Sequence, residues 1–451
     1  MEGFVSFILE HAGDDPARLL LSRSRWKDID LDLAVSTIQA RKRLEKKLPA
    51  WHSVPSLIYP LPLAAEQCSS QETALYKAAL AFRLMSHTDP AGNASTNPPF
   101  APLSPSLPLS VGDSCSSLHR APPILTMGGQ GSLEASPCRI ADLTGGMGAD
   151  SWAFATKGAE VLYNEASEEL AKAAEYNFKE LGIKNIQVKN RTVEKGNAAS
   201  ILGDFVPDLI YLDPARRGSG GKRVFALEDC SPDLTAIKDE LLGCSRFVMA
   251  KISPMADISL TVRKLGPHVR EIHVVSSEGE CKELLVILDR DFSGEPEIYA
   301  WQNGKELSFK MEEERTAQAV YPDADRLGSY RFLFRPSPSL TKAGLFNLPC
   351  SRFGLVKLAR DTHLYFCDSP IPTLEGLGRF HLISEMLEMS GKAIRETGKK
   401  YTKAEVTAKN IGMDGEELRK KLGSASGGDA HIFGVTVDPA GAKSKKYLII
   451  A

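Results

Sequence analysis

The middle of the chain alternates strand-like and helix-like segments, and this alternation constrains the fold more than any other feature. The strand-like segments after residue 138 are RIADLT, EVLYNEA, IQVKN, DLIYLDP and RFVMAKI, with helix-like segments between most of them. Repeated strand–helix units predict a parallel sheet with helices on both faces. The segments EIHVVSSEG and ECKELLVILDR then follow each other across a short turn. They predict one antiparallel strand at the edge of this sheet.

The flanking segments have other patterns and predict further domains around this α/β domain, which we place at 138–291. Residues 1–86 have the apolar spacing of helices. Residues 87–137 are rich in Pro, Ser and Ala, which predicts a flexible insertion. Residues 292–380 predict a small α+β domain, for which a ferredoxin-like arrangement is one option. Residues 381–451 predict a second small domain with the order strand, helix, strand, strand.

The composition excludes several classes of protein. The 451 residues are 43% hydrophobic and 25% charged with a net charge of −2, as in ordinary globular chains. No apolar run reaches the roughly 20 residues that cross a bilayer, and the N-terminus lacks the features of a signal peptide. The eight cysteines form no C-x-x-C pair and the nine histidines no H-E-x-x-H pair. We therefore expect reduced thiols, no metal, no membrane partner and a cytoplasmic location.

The segment ADLTGGMGAD at 141–150 follows a strand and opens a helix, as a glycine-rich nucleotide-binding turn must. Gly146 and Gly148 let the backbone turn sharply and approach a ligand closely. Asp142 ends the first strand, where open α/β sheets bind ligands. Glu165 ends the next strand, roughly 20 residues further on, where an acid can accept hydrogen bonds from ribose hydroxyls. These residues predict a cofactor that contains adenosine, and they leave NAD open.

The segment YLDPARRGSGG at 211–221 follows the fourth predicted strand, beside the same crevice. Asp213 comes directly after the strand. Arg216 and Arg217 carry planar guanidinium groups that suit a phosphate or a base edge. The alternative is a turn at the end of a strand whose arginines are solvated.

Both segments resemble motifs of class I S-adenosylmethionine (SAM)-dependent methyltransferases. The spacing Asp-x-x-x-Gly-x-Gly at 142–148 is similar to their first motif, and DPAR at 213–216 is similar to the D-P-P-Y/F/W or D-P-P-R motif of those acting on nucleic acids. The resemblance implies a Rossmann-like, seven-stranded sheet. It also implies that SAM is bound by Asp142, Thr144, Gly146, Gly148 and Glu165. The residues implied on the side of the methyl acceptor are Asp213, Pro214, Arg216 and Arg217.

The segment LAAEQCSSQETALYKA at 63–78 resembles the helix that precedes the first motif in many nucleic-acid methyltransferases. In those proteins the helix touches the methionine carboxylate, which implies cofactor contacts for Gln67 and Ser69. The free N–H groups at a helix start favour an anion. The alternative is a simple capping box between Ser69 and Glu72.

The C-terminal segment, with LRKKL followed by GGD and a strand, resembles the THUMP-like domain that ends one bacterial family of class I methyltransferases. From residue 391 onward, 12 Lys and Arg stand against 7 Asp and Glu. The resemblance implies RNA contacts through Arg419, Lys420 and Lys421. The alternative is a solvated helix face.

The sequence thus predicts a SAM-dependent methyltransferase acting on a tRNA or rRNA base. Methylation of pyrimidine C5 needs a cysteine nucleophile, and the loop 251–257 has none. Cys230 is expected in a different loop, so we favour a nitrogen acceptor. Two alternatives remain: another SAM-using transferase on this fold, and a non-catalytic RNA-binding protein with a vestigial cofactor pocket. The oligomeric state stays open.

Overall fold

The computed structural model describes residues 2–86, 137–216 and 227–451. The predicted insertion 87–137 therefore lies outside the described residues, apart from its last position. The chain divides into two compact units, Met1–Tyr211 and Leu212–Ala451. Among the described helices, none combines the length and the apolar composition that crossing a membrane requires.

The first unit begins with helices only. Their bounds are α1 (Glu2–Glu10), α2 (Pro16–Leu21), α3 (Leu31–Lys47), α4 (Pro49–His52), α5 (Pro62–Gln67) and α6 (Gln71–Ser86). The longest, α3, starts where the Asp30 side chain accepts the N–H of Leu33, which satisfies one of the free donors of a helix start. Its apolar face packs on α1 and α2 in a local core.

The same unit continues with four strands that alternate with helices. They are β1 (Arg139–Asp142), α7 (Ala149–Thr156), β2 (Glu160–Asn164), α8 (Glu168–Glu180), β3 (Ile186–Lys189), α9 (Ala198–Leu202) and β4 (Leu209–Leu212). The strands are parallel, as predicted, and take the order β4, β1, β2, β3. Parallel strands bring their carboxyl ends to one edge, so the segments after β1 and β2 are neighbours.

The second unit opens with a short ribbon and then a larger group of strands. These are β5 (Ala215–Arg216), β6 (Cys230–Ser231), α10 (Leu234–Cys244), β7 (Phe247–Ile252), α11 (Ile258–Leu265), β8 (Val269–Ser277), β9 (Glu280–Asp289), β10 (Glu297–Gln302) and β11 (Lys305–Lys310). Strands β5 and β6 pair with each other, and the remaining five take the order β11, β10, β8, β9, β7. The β10–β11 hairpin turns at Asn303 and Gly304, both in the left-handed region, as the Asn-Gly pair requires.

The predicted position of the antiparallel strand is wrong. Strand β9 is antiparallel to β7 and to β8 and lies between them, not at an edge. Residues 283–289 of β9 are all buried, and burial on both faces is typical of a strand inside a sheet. Strand β10 then pairs in parallel with β8. The predicted count of seven strands is not confirmed.

The rest of the second unit contains two four-stranded sheets with short helices. The elements are α12 (Met311–Thr316), β12 (Phe332–Pro336), α13 (Pro338–Ala343), α14 (Leu348–Phe353), β13 (Val356–Ala359), β14 (Thr362–Cys367), β15 (Gly378–Leu382), β16 (Glu385–Glu388), α15 (Gly391–Lys400), β17 (Glu405–Lys409), α16 (Gly415–Leu422), β18 (His431–Val437) and β19 (Lys445–Ile450). The sheet orders are β13, β14, β12, β15 and β16, β19, β18, β17. Leu333 and Phe366 of the first sheet share a core with Phe433 and Ile449 of the second.

Candidate functional site

The turn after β1 is fastened to the start of α7 by Asp142. This side chain is only 1% exposed. Its Oδ2 accepts the Ser151 hydroxyl at 2.6 Å, and its Oδ1 accepts the Thr144 N–H at 3.2 Å. Asp142 thus sets the path of the glycine-rich turn and the position of the helix that follows it.

The end of β2 holds the same turn from the other side. The Glu165 carboxylate accepts the N–H of Gly146 at 2.8 Å through Oε2 and the N–H of Ser167 at 2.8 Å through Oε1. The Tyr163 hydroxyl donates to the Gly146 carbonyl at 2.5 Å. Burial, with Glu165 nearby, raises the pKa of Tyr163, so this hydroxyl stays protonated and remains a donor. The two acidic motif positions predicted from sequence therefore contact one turn.

Asn164, between these two residues, is fully buried and was not predicted as a site residue. Its side-chain amide donates to the Leu143 carbonyl at 3.0 Å and to the Arg191 carbonyl at 2.9 Å, and it accepts the Arg191 N–H at 3.1 Å. It therefore ties the segment after β1 to the segment after β3.

The glycines of the turn are needed for different reasons. A Cβ on Gly145 would lie 2.1 Å from the Tyr163 ring. Gly148 has φ +95°, and its Cβ would lie 2.6 Å from the Phe178 ring. Gly146 has φ +54°, and its Cβ would meet nothing within 4 Å. Position 148 thus needs glycine because of its positive φ and the nearby Phe178 ring. Of the three glycines, only Gly146 has open space where a side chain would be.

A buried polar cluster lies beside the turn. The Lys77 side chain of α6 is 0% exposed, and its Nζ lies 3.0 Å from Asp150 Oδ1 at the start of α7. Lys77 also donates to the Ser69 hydroxyl at 2.6 Å. Asp150 Oδ2 accepts the hydroxyls of Ser69 and Tyr211, each at 2.9 Å. The cluster joins α6, α7 and β4 through charged or hydroxyl groups.

This cluster changes the interpretation of the segment 63–78. Helix α6 begins at Gln71, and the Ser70 hydroxyl accepts the Thr73 N–H at 3.2 Å. The capping residue is therefore Ser70, and the expected box between Ser69 and Glu72 is wrong because the Ser69 hydroxyl bonds into the buried cluster instead. Gln67 is exposed at the end of α5.

On the predicted acceptor side, Asp213 directly follows β4 and pairs with a lysine that sequence analysis missed. Lys251 Nζ lies 2.6 Å from Asp213 Oδ2 and 3.9 Å from Glu283 Oε2. Pro214 is half-buried between β4 and β5. Arg217 lies outside the described residues. The Lys251–Asp213 pair gives the carboxylate a fixed, charged partner.

Cys230 lies outside the loop 251–257, and the structure adds a contact that the sequence did not predict. Strand β6 carries Cys230 opposite Arg216 of β5, so the two chain segments form one antiparallel ribbon. Sequence distance hid this contact because short strands carry little periodic signal. A thiol therefore lies next to the DPAR segment.

The basic residues predicted for RNA lie on α16. Arg419 bonds Glu416 through two nitrogens, the closer at 2.7 Å, and also the Ser424 carbonyl at 3.2 Å. Lys420 lies 3.9 Å from Glu416, and Lys421 is exposed. Within the described ranges, no group of three or more His, Cys, Asp or Glu could hold a metal ion.

Two residues that sequence analysis missed had a detectable signal. Lys77 is the one charge in the stretch TALYKAALAF, and Lys251 is the one charge in FVMAKI. A single lysine inside an apolar helix or strand is rarely fully buried unless it is paired. Such positions are therefore candidates for buried ion pairs.

Comparison with known proteins gives a whole-length structural match and two local family matches. The structure matches that of a protein described as a putative methyltransferase from Porphyromonas gingivalis W83. The match covers 99% of this chain and 96% of that protein's chain, with 27% identity and a TM-score of 0.76. Residues 332–374 match a ferredoxin-like domain family and residues 378–451 a THUMP-domain-like family. None of the curated proteins matches the chain.

Two further structures resemble only part of the chain. A SAM-dependent methyltransferase from Agrobacterium tumefaciens matches 35% of this chain and 58% of its own, with 20% identity and a TM-score of 0.25. A human methyltransferase 10 domain containing protein matches 36% of this chain and 76% of its own, with 15% identity and a TM-score of 0.29. These partial likenesses add nothing to the whole-length match. That match and the THUMP-like end confirm the resemblance and the methyltransferase fold class predicted from sequence.

The Lys77–Asp150 pair predicts a large stability effect. Replacing Lys77 by Met leaves the buried Asp150 charge without its cation, so the free energy of unfolding in urea should fall by about 3–5 kcal/mol. The exposed Lys172, paired with Glu168 on α8, is the matched control, and Lys172→Met should cost less than about 1 kcal/mol. The double variant Lys77→Met/Asp150→Asn should recover part of the loss. Equal effects at positions 77 and 172 would contradict this account.

Alanine substitutions at Gly145 and Gly146 should have different effects, the first on stability and the second on ligand binding. Gly145→Ala should destabilise the fold, because its Cβ would clash with the Tyr163 ring. Gly146→Ala should fold, with a strain of about 1 kcal/mol at its positive φ, but should fill the space beside the turn. Urea denaturation measures the first effect, and calorimetric titration with SAM measures the second. Unchanged SAM affinity in Gly146→Ala would show that no ligand approaches there.

Proposed function

We propose that this protein is a SAM-dependent methyltransferase that methylates a base nitrogen in tRNA or rRNA. The observation that carries the proposal is the bond between the Glu165 carboxylate and the Gly146 N–H beside open space. A carboxylate has about four acceptor sites, and Glu165 uses two on backbone N–H groups. It therefore keeps acceptor capacity for the two hydroxyls of a ribose.

The cofactor side is the set of residues around this turn. Asp142 and Thr144 fix the backbone, Gly146 leaves room for close approach, and Gly148 allows α7 to begin where it does. Gln67 and Ser69 are proposed to act near the methionine end, with Ser69 held by the buried cluster rather than free at a helix start. When bound, SAM supplies an electrophilic methyl group on a sulfonium.

The acceptor side is proposed to be the segment that begins with Asp213 and Pro214 and continues to Arg216 and Arg217. Methyl transfer needs the acceptor aligned with the methyl–sulfur bond, and alignment supplies most of the acceleration. Asp213 would orient the base and take the proton that an amino nitrogen loses, while Lys251 at 2.6 Å holds the carboxylate in place.

Two features support RNA as the substrate. The match of residues 378–451 to a THUMP-domain-like family suggests a domain that contacts RNA. The DPAR segment, similar to the motif of nucleic-acid methyltransferases, follows β4. The resemblance also implies that Arg419, Lys420 and Lys421 contact RNA. Arg419 is the least available of the three, because it already forms an ion pair with Glu416.

A second candidate is methylation at pyrimidine C5, which the position of Cys230 opposite Arg216 favours. In that reaction a thiolate adds to C6, C5 attacks the methyl group, and loss of the C5 proton expels the thiolate. A nitrogen acceptor needs no such adduct. Cys230 therefore separates the two chemistries.

The cofactor prediction is tested by calorimetric titration with SAM and with NAD. Glu165→Ala should weaken SAM binding about 10- to 100-fold, because the ribose loses its charged acceptor. Glu168→Ala, three residues further along and exposed, is the matched control and should bind SAM normally. Binding of NAD but not of SAM would replace the methyltransferase by an oxidoreductase.

The acceptor prediction uses transfer of a labelled methyl group to bulk tRNA or rRNA. Asp213→Asn should lower turnover at least about 100-fold with little change in RNA affinity, since it removes proton acceptance but keeps the shape. Cys230→Ser should retain turnover if the acceptor is nitrogen. Loss of turnover in Cys230→Ser, with normal SAM and RNA binding, would instead establish the C5 reaction.

A further inference from the structure

Two arginines lie directly opposite each other on neighbouring antiparallel strands. The register of β12 and β15 pairs Arg335 with Arg379, and the pairs on either side are Phe334–Phe380 and Pro336–Gly378. Like charges in such cross-strand positions repel and destabilise a sheet. Arg335 is half-buried, and burial together with Arg379 lowers its pKa. The repulsion between the two guanidinium groups therefore costs stability.

In the part of the chain that the structure describes, no carboxylate pairs with these arginines. Neither Arg335 nor Arg379 forms an ion pair or a side-chain hydrogen bond with a described residue, whereas other basic residues of the same unit form ion pairs. Examples are Arg419 with Glu416, Lys445 with Glu388 and Lys400 with Glu385. The two arginines are therefore cations on one sheet face that the surrounding chain leaves unneutralised.

Two histidines border the arginines. His381 lies two residues after Arg379 on the same face of β15, and its ring centroid is 5.2 Å from that of His431. Burial and the neighbouring Arg335 lower the pKa of His381 to about 4, so its ring is neutral at pH 7. Its Nε2 is buried without a hydrogen-bond partner in the described chain. Because this nitrogen is shielded from solvent, His381 borders the two arginines as a neutral ring and adds no charge to them.

We propose that Arg335 and Arg379 form a phosphate-binding site for the backbone of the RNA substrate. Each guanidinium group offers paired N–H donors in its own plane. Paired donors fit the several oxygens of a phosphate better than they fit a single acceptor. The site lies on the first small sheet next to β18 of the second, not on α16. This inference rests on the proposed function for its choice of RNA.

The test compares two double variants of the full chain that remove equal charge. Arg335→Gln/Arg379→Gln should weaken binding of bulk tRNA at least about 10-fold and lower the slope of log affinity against log salt by about 1–2. The control Lys392→Gln/Lys399→Gln removes two exposed lysines from α15 of the same unit. Its affinity should change less than about threefold. Equal losses in both variants would overturn the site, because they would report net charge alone.

Further measurements separate this site from a structural role and from the proposed function. The unfolding temperature of Arg335→Gln/Arg379→Gln should stay unchanged or rise, since repulsion is relieved; a fall of several degrees would overturn the site. SAM binding should be normal in both variants. If the wild-type chain binds RNA and the arginine variant binds it equally well, only this site fails. Polyglutamate is an anionic polymer without phosphate and serves as a second ligand. If the wild-type chain binds polyglutamate but no RNA, both the proposed phosphate site and the proposed RNA substrate are wrong.

Discussion

The buried contact between Lys77 and Asp150 is the constraint on which the glycine-rich turn depends. Two unit charges that are almost fully buried lose several kcal/mol of hydration each, so they persist only where they are paired and hydrogen-bonded. Here Ser69 and Tyr211 donate hydrogen bonds to Asp150, and Ser69 accepts one from Lys77. The start of α7 is thereby fixed to α6 and β4. The turn between β1 and α7 has little freedom left, because both of its ends are held.

The strands, helices and turn were predictable because their signals are local. Strand β4 is four buried residues in a row, and Gly148 at φ +95° occupies a backbone region that other residues rarely adopt. The partner of Ser69 was not predictable. A serine before a helix has a local role as a cap and a tertiary role as a hydrogen-bond donor, and the sequence motif is the same for both. Only the position of Asp150, 81 residues further along the chain, decides between them.

Charge shows the same limit. The excess of Lys and Arg after residue 391 favours α16 as a contact for RNA, but Arg419 of this helix is paired with Glu416. Arg335 and Arg379 belong to no basic run, so the charge pattern does not indicate them. A count of charges cannot distinguish a neutralised arginine from an unneutralised one, because that difference depends on which residues a sheet register brings together. The same reason hid Cys230 opposite Arg216.

Three consecutive residues, the last two of β2 and the one that follows it, contact the segment after β1, each through a different chemical group. Tyr163 uses a phenol, Asn164 an amide and Glu165 a carboxylate, and their side chains alternate between the two faces of the strand. Loss or gain of one residue within β2 would exchange those faces and break all three contacts together. This strand should therefore tolerate almost no change of length over evolution, and relatives that keep the turn should keep the spacing between Asp142 and Glu165.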